Sequence, residues 1–144
     1  MIAYFDASAM IPLLIDEPLS KLAERIWQGA SWVASARGSY VEARSGLARA
    51  CRMERISPAQ LREAVEGLET LHRQMHQVEI TADLVERAGQ LAEELALRAY
   101  DAIQLAAVAS LDVDDLVVLT GDQQLAAAAQ ALGLASISEP GTSR

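Results

Sequence analysis

The sequence predicts an α/β fold in which a parallel sheet carries helices on both faces. Three observations support this. Short apolar stretches alternate with longer segments whose apolar residues recur at helical spacing, the order that builds a parallel sheet. One of these stretches, Leu116-Val117-Val118-Leu119, is unbroken and β-branched at its centre, as a strand covered on both sides must be. Of the 144 residues, 51% are apolar, enough to bury a core without cross-links. The single cysteine, Cys51, rules out an intrachain disulfide and agrees with a reducing compartment.

Met1 to Phe5 reads as a short buried strand that ends at a polar turn. A short helical stretch follows from about Ser8 to Leu14, and after Pro18 a second helix runs from about Leu19 to Gln28. Its apolar stripe is Leu22, Ala23, Ile26 and Trp27, and Gly29 marks its end. Trp32-Val33-Ala34 is a second strand, with both Trp27 and Trp32 assigned to the core. A helix from about Tyr40 to Arg55 comes next. Ser57-Pro58 opens another, serine as cap and proline at the first helical position, with Leu61, Val65, Leu68, Leu71 and Met75 along one side. Val78-Glu79-Ile80 alternates like a third strand. Thr81 caps a long helix ending near Leu97. Asp101 to Leu111 is helical and apolar nearly all round. After the strand at Leu116–Leu119, Gln123 to Leu132 is helical, stopped by Gly133, and Leu134 to Ile137 makes a last strand. One domain spans residues 1–137, and 138–144 read as a loose tail.

The net charge of −8 argues against binding nucleic acid through a broad basic surface. Any positive charge needed for that purpose must be local, from bound divalent cations or a few arginines; Lys21 is the only lysine. No uncharged run reaches the roughly 18 residues of a membrane span. The N-terminal residues lack the basic region of a secretory leader. The expected location is the cytoplasm, with no membrane partner.

Four acids stand out by position. Asp6 follows the first strand directly, and Asp122 follows the strand ending at Leu119 and Thr120. In open parallel sheets, sites form at the carboxyl ends of strands. Asp101 stands at the tip of a helix whose body is almost all apolar. Glu42 lies in the first turn of its helix, off the stripe of Ala43, Leu47, Ala50 and Cys51. Taken singly, each aspartate has a plainer role as a helix cap, and Glu42 as a complement to the helix's positive end. Gathered together, four carboxylates repel unless protonated or bound to cations, and an all-oxygen site selects Mg²⁺ or Mn²⁺.

The residues around these acids resemble a known family. Tyr4-Phe5-Asp6-Ala7-Ser8-Ala9 resembles the opening of PIN domains, and Tyr40-Val41-Glu42-Ala43 their helix-borne glutamate. Tyr100-Asp101-Ala102-Ile103-Gln104-Leu105-Ala106 is similar to their third acidic motif. Leu119-Thr120-Gly121-Asp122-Gln123-Gln124-Leu125, followed by Gly133, is similar to their fourth. Order, spacing and length match over essentially the whole chain and most resemble the VapC toxins of bacterial toxin–antitoxin pairs. The resemblance implies a three-layer α/β/α PIN-like fold with a central parallel sheet of four to five short strands. It also implies Mg²⁺- or Mn²⁺-dependent hydrolysis of RNA phosphodiesters, a small antitoxin protein that blocks the active site, and a homodimer. On this reading Asp6, Asp101 and Asp122 hold the metal and Glu42 ligates directly or through water.

Ser8 and Thr120 are secondary candidates, able to orient a carboxylate or a water, with local turn bonding as the plainer role. Arg49 lies two turns after Glu42 on the same helical face and is a candidate phosphate contact; the plainer reading pairs it with Glu54. His72 and His76 stand four apart on a predicted helix, but no third ligand is evident nearby and exposed or half-buried histidines are expected.

Two rivals remain. An aspartyl-nucleophile phosphatase of the haloacid dehalogenase kind would use Asp6, but needs a second aspartate where Ser8 stands and a central lysine that Lys21 does not provide. A catalytically silent PIN-like module binding RNA or protein is the non-enzymatic alternative.

Overall fold

The computed structural model of the chain describes residues 1–138. Five parallel strands form one sheet in the order β3-β2-β1-β4-β5: β1 (Ile2–Phe5), β2 (Trp32–Ala36), β3 (His76–Val78), β4 (Leu116–Leu119) and β5 (Ala135–Ile137). The helices are α1 (Ala7–Met10), α2 (Ser20–Gly29), α3 (Ser39–Arg52), α4 (Pro58–Gln74), α5 (Ala82–Leu95), α6 (Ala99–Ser110) and α7 (Gln123–Ala131), with a 3₁₀ turn at Ile11–Leu13. The predicted α/β architecture is therefore what the chain adopts, and residues 139–144 of the expected tail lie outside the described residues.

Alternation along the strands divides the core in two. Tyr4, Ala34, Ala36, Val78 and Val118 face α5, α6 and α7, meeting Leu84, Leu91, Leu105 and Leu125. Ala3, Phe5, Val33 and Leu119 face the other layer, meeting Met10, Ile26, Leu47 and Leu68. Parallel strands covered on both sides have to be apolar on both faces, which is why β1 and β4 read so clearly. Local chemistry sets the helix starts. Ser57 accepts from Gln60 N at 3.1 Å while Gln60 Oε1 accepts from Ser57 N at 2.7 Å, a reciprocal cap for α4. Thr81 Oγ1 accepts from Leu84 N at 3.2 Å to cap α5. Gly133 takes φ +81° after α7, a conformation that favours glycine.

Three expectations need correction. The third strand is His76–Val78, not Val78–Ile80. It is an edge strand of three residues paired only with β2, from Ala34↔His76 to Ala36↔Val78. Beyond that register β2 turns away into α3, so Glu79 and Ile80 have no strand to meet. Secondly, α4 ends at Gln74 and Met75 is extended, so His72 and His76 do not share a helix. Their rings lie instead against Tyr40 and Trp32 respectively. Thirdly, Trp32 is 37% exposed at the start of β2, whereas Trp27 packs edge-on against Phe5.

The strand order reverses between β1 and β4, whose registers run side by side from Ile2↔Leu116 to Phe5↔Leu119. The loops leaving the two strands must diverge to opposite faces of the sheet, which opens a crevice at their carboxyl ends. Asp6 and Thr120, the next residue on each strand, stand at its floor.

Candidate active site

Asp6 is held from three sides. Ser8 Oγ and Ala9 N donate to its Oδ1 at 2.6 and 3.1 Å, and Thr120 Oγ1 donates to its Oδ2 at 2.6 Å. These bonds occupy three of the carboxylate's roughly four lone-pair sites and leave one on Oδ2. The hydroxyls are themselves fixed. Gly121 N donates to Ser8 Oγ at 2.7 Å and Asp122 N to Thr120 Oγ1 at 3.0 Å. Ser8 and Thr120 thus tie the loop after β4 to the Asp6 carboxylate.

Asp122 also combines two roles. Its Oδ1 caps α7, accepting from Gln124 N at 2.8 Å and Leu125 N at 3.3 Å, and this fixes the side chain at the crevice. Asp101 sits in the first turn of α6 without capping it. Its Oδ2 is buried and has no hydrogen-bond partner among the described residues; Arg98 stands near it, with Nε at 3.7 Å. A buried anionic oxygen without a partner is costly, and one beside other acids is what a cation site presents. Glu42, half-buried in the first turn of α3, accepts at Oε1 from Gln104 Nε2 at 2.9 Å.

The four carboxyls lie within each other's fields. Burial pushes Asp6 up to about 6, against the bonds from Ser8, Thr120 and Ala9, with the charge of Asp122 adding to the rise. Burial likewise pushes Glu42 up to about 7; the Gln104 bond lowers it, and Asp6 and Asp101 raise it. Asp101 is raised by burial first and then by Asp122, with Arg98 opposing. Asp6, Glu42 and Asp101 resist ionisation partly because other acids stand near them. Among the described residues, however, no three His, Cys, Asp or Glu side chains already form a cation-holding group. The acids are neighbours in charge without being drawn into a cage.

The donor set still fits a hard cation in kind: every candidate atom is an oxygen, and one of them is buried with no hydrogen-bond partner among the described residues. Lys21, which an aspartyl-nucleophile phosphatase would need near Asp6, is exposed on α2. Arg49 is exposed and lines a groove of about 580 Å³ beside Glu42, together with Val41, Ser45, Gly46, Arg52 and Tyr100. Arg44 and Arg55 are paired with Glu69 and Glu17, whereas no ion pair is found for Arg49 or Arg52 among the described residues. The expected Arg49–Glu54 pairing is not formed.

Sequence reasoning passed over Gln104, which is 2% exposed in the middle of α6. The available signal was a lone polar residue in the run Ala102-Ile103-Gln104-Leu105-Ala106-Ala107-Val108, where a purely structural helix would carry another aliphatic.

The raised acids set the sign of a pH effect. In the metal-free protein Asp6 keeps its proton to higher pH than in the unfolded chain. The stability this contributes is fully present below about pH 4 and lost as pH rises through about 6. A rise from 3.8 to about 6 is worth at most about 3 kcal/mol. Metal-free protein is therefore expected to lose stability between about pH 4 and 7 relative to Asp6→Asn, measured by urea denaturation. Parallel profiles for the two proteins would contradict the assignment of Asp6 as a buried, repelled carboxyl.

Three comparisons bear on this geometry. The PIN domain family matches residues 3–131. Ribonuclease VapC45 of Mycobacterium tuberculosis is 37% identical over 132 residues, 92% of each chain. The crystal structure of VapC20 of Mycobacterium tuberculosis, a toxin that cleaves the sarcin–ricin loop, aligns with a TM-score of 0.66 at 20% identity, over 88% of this chain and 94% of that one. A toxin–antitoxin complex from Klebsiella pneumoniae aligns at 0.63 and 22% identity, over 87% and 90%. At such identities the two structures speak for the fold alone.

Proposed function

The chain belongs to the PIN-domain family, and from that premise we propose that it is a divalent-metal-dependent endoribonuclease, the toxin of a toxin–antitoxin pair. The observation that carries the metal dependence is the buried Oδ2 of Asp101, without a hydrogen-bond partner among the described residues, beside three other acids at the mouth between β1 and β4. The substrate class rests on the 37% identity to a protein named a ribonuclease.

Asp6, Asp101 and Asp122 would hold Mg²⁺ or Mn²⁺, with Glu42 ligating directly or through water. When bound, such an ion supplies a water acidic enough to ionise near neutral pH and positive charge beside the scissile phosphate. The chain's own groups prepare that site. Ser8 and Thr120 hold Asp6 in one orientation, and the cap on α7 holds Asp122. Arg49, free of acidic partners in the groove beside Glu42, takes a backbone phosphate of the RNA. This local cation answers the net charge of −8, which disfavours diffuse attraction.

The antitoxin belongs to the same proposal and is supported by the likeness to a toxin seen in complex with its antitoxin. A homodimer and a cytoplasmic location are part of the same proposal, with the family likeness as their support. No helix among the described residues is long and apolar enough to cross a membrane.

Purified full-length chain is expected to cut RNA with Mn²⁺ and to stop on addition of EDTA. Mn²⁺ at 100 times its dissociation constant should stabilise the fold by about 2.7 kcal/mol. Arg49→Ala should weaken RNA binding and lower its salt slope by about 0.7, the loss of one phosphate contact on a single strand. Absence of both Mn²⁺-dependent cutting and Mn²⁺-induced stabilisation would leave the silent binding module as the better reading.

A further inference from the structure

Glu42 is joined to the far side of the sheet by a chain of buried hydrogen bonds. Ala36 N, at the end of β2, donates to the Tyr4 hydroxyl at 3.1 Å. Tyr4, fully buried on β1, donates its own proton to Gln104 Oε1. Gln104 Nε2, on α6, then donates to Ser39 Oγ and to Glu42 Oε1, each at 2.9 Å. From these contacts we propose that Gln104 is a positioning residue that fixes the Glu42 carboxylate, and that Tyr4 fixes Gln104 in the sense this requires.

The direction of the chain follows from what each group can do. A backbone N–H can only donate, so Tyr4 receives the Ala36 proton and must give its own elsewhere. The atom that takes it is the Gln104 carbonyl oxygen. That settles which end of the amide faces Tyr4, and both Nε2 protons are left for Ser39 and Glu42. Reversed, the amide would turn its oxygen toward a carboxylate and leave Tyr4 facing a donor. The lock depends on residues from four elements, and none of its members is spare.

Stability alone does not account for the arrangement. A leucine or methionine at position 104 would match the aliphatic neighbours Leu105, Ala106 and Val108 and need no partners. A buried polar chain is favourable only when every member is satisfied. What the amide adds is a fixed donor against one oxygen of Glu42, on a half-buried helix turn bordering the open groove of Val41, Ser45, Gly46 and Arg49. Without that donor the carboxylate is free to swing into the groove.

The activity arm of the test rests on the proposed nuclease reading; the spectroscopic arm does not. In metal-free full-length protein, the Gln104 side-chain amide should give two dispersed, slowly exchanging ¹H–¹⁵N signals. Tyr4→Phe should shift both of these and the Glu42 Cδ resonance. Unmoved Gln104 and Glu42 signals in Tyr4→Phe would overturn the lock, whether or not the protein cuts RNA. In Mn²⁺-dependent cleavage, Gln104→Met should lower kcat about tenfold, the low end of what an outer-shell partner contributes, with KM nearly unchanged. It should cost nothing further in a Glu42→Ala background, because it acts through Glu42. An equal loss in both backgrounds would assign Gln104 to packing and sink the proposal. Should Gln104→Met melt early, Tyr4→Phe takes its place in the same cycle with the same two outcomes.

Discussion

Asp101→Asn is expected to reduce Mn²⁺-dependent RNA cleavage by about 10³-fold, the order of loss seen when one charge-stabilising group is taken from an active site. The metal-free fold should be no less stable, and stability is the more telling half of the prediction. Asp101 Oδ2 is buried without a hydrogen bond, and the charge of Asp122 works against its ionisation. An amide of the same shape removes that charge, so the metal-free melting temperature should hold or rise by up to about 3 °C, the equivalent of about 1 kcal/mol in a domain of this size. With Mn²⁺ present the order should reverse, because the wild type gains stability from the ion and the variant gains much less. A wild-type rate of cutting in the variant would remove Asp101 from the site. A large fall in its metal-free melting temperature would show that the carboxylate is holding the fold together.

The largest effect on stability is expected from Phe5→Ala. Phe5 is fully buried on β1, the middle strand, and packs edge-on against Trp27 with ring centroids 5.9 Å apart. Emptying that space should cost about 3–5 kcal/mol, transfer and cavity together. Domains of this kind carry about 5–15 kcal/mol in all, so much of the chain's margin would go. Trp32→Ala, by contrast, should cost less than about 1 kcal/mol, since Trp32 is exposed at the start of β2. Urea midpoints at constant slope would measure both. Equal losses at the two positions would contradict the division of the core.

That contrast also shows where sequence reasoning succeeds. β4 was legible to the residue because a strand between two neighbours, covered on both faces, must be apolar throughout. β3 was displaced by two residues because an edge strand takes its register from its single partner, and nothing local in Val78-Glu79-Ile80 reveals that partner. Trp32 looked like core for a related reason: an aromatic in an apolar run carries no mark of which end of the strand it occupies. The places of Asp6 and Asp122 at the carboxyl ends of β1 and β4 were legible because each comes shortly after an apolar strand. Gln104 was not, because its meaning lies in Tyr4, 100 positions away, and in Glu42, 62 positions away.

The sheet order has a consequence for when the crevice takes shape as the chain is made. Thr120 reaches Asp6 across 114 positions, and Asp101 and Asp122 leave the ribosome long after Asp6 and Glu42. A growing chain holds half its acids and no fourth strand to set beside the first. The four acids can therefore face one another only once β4 has emerged to lie beside β1.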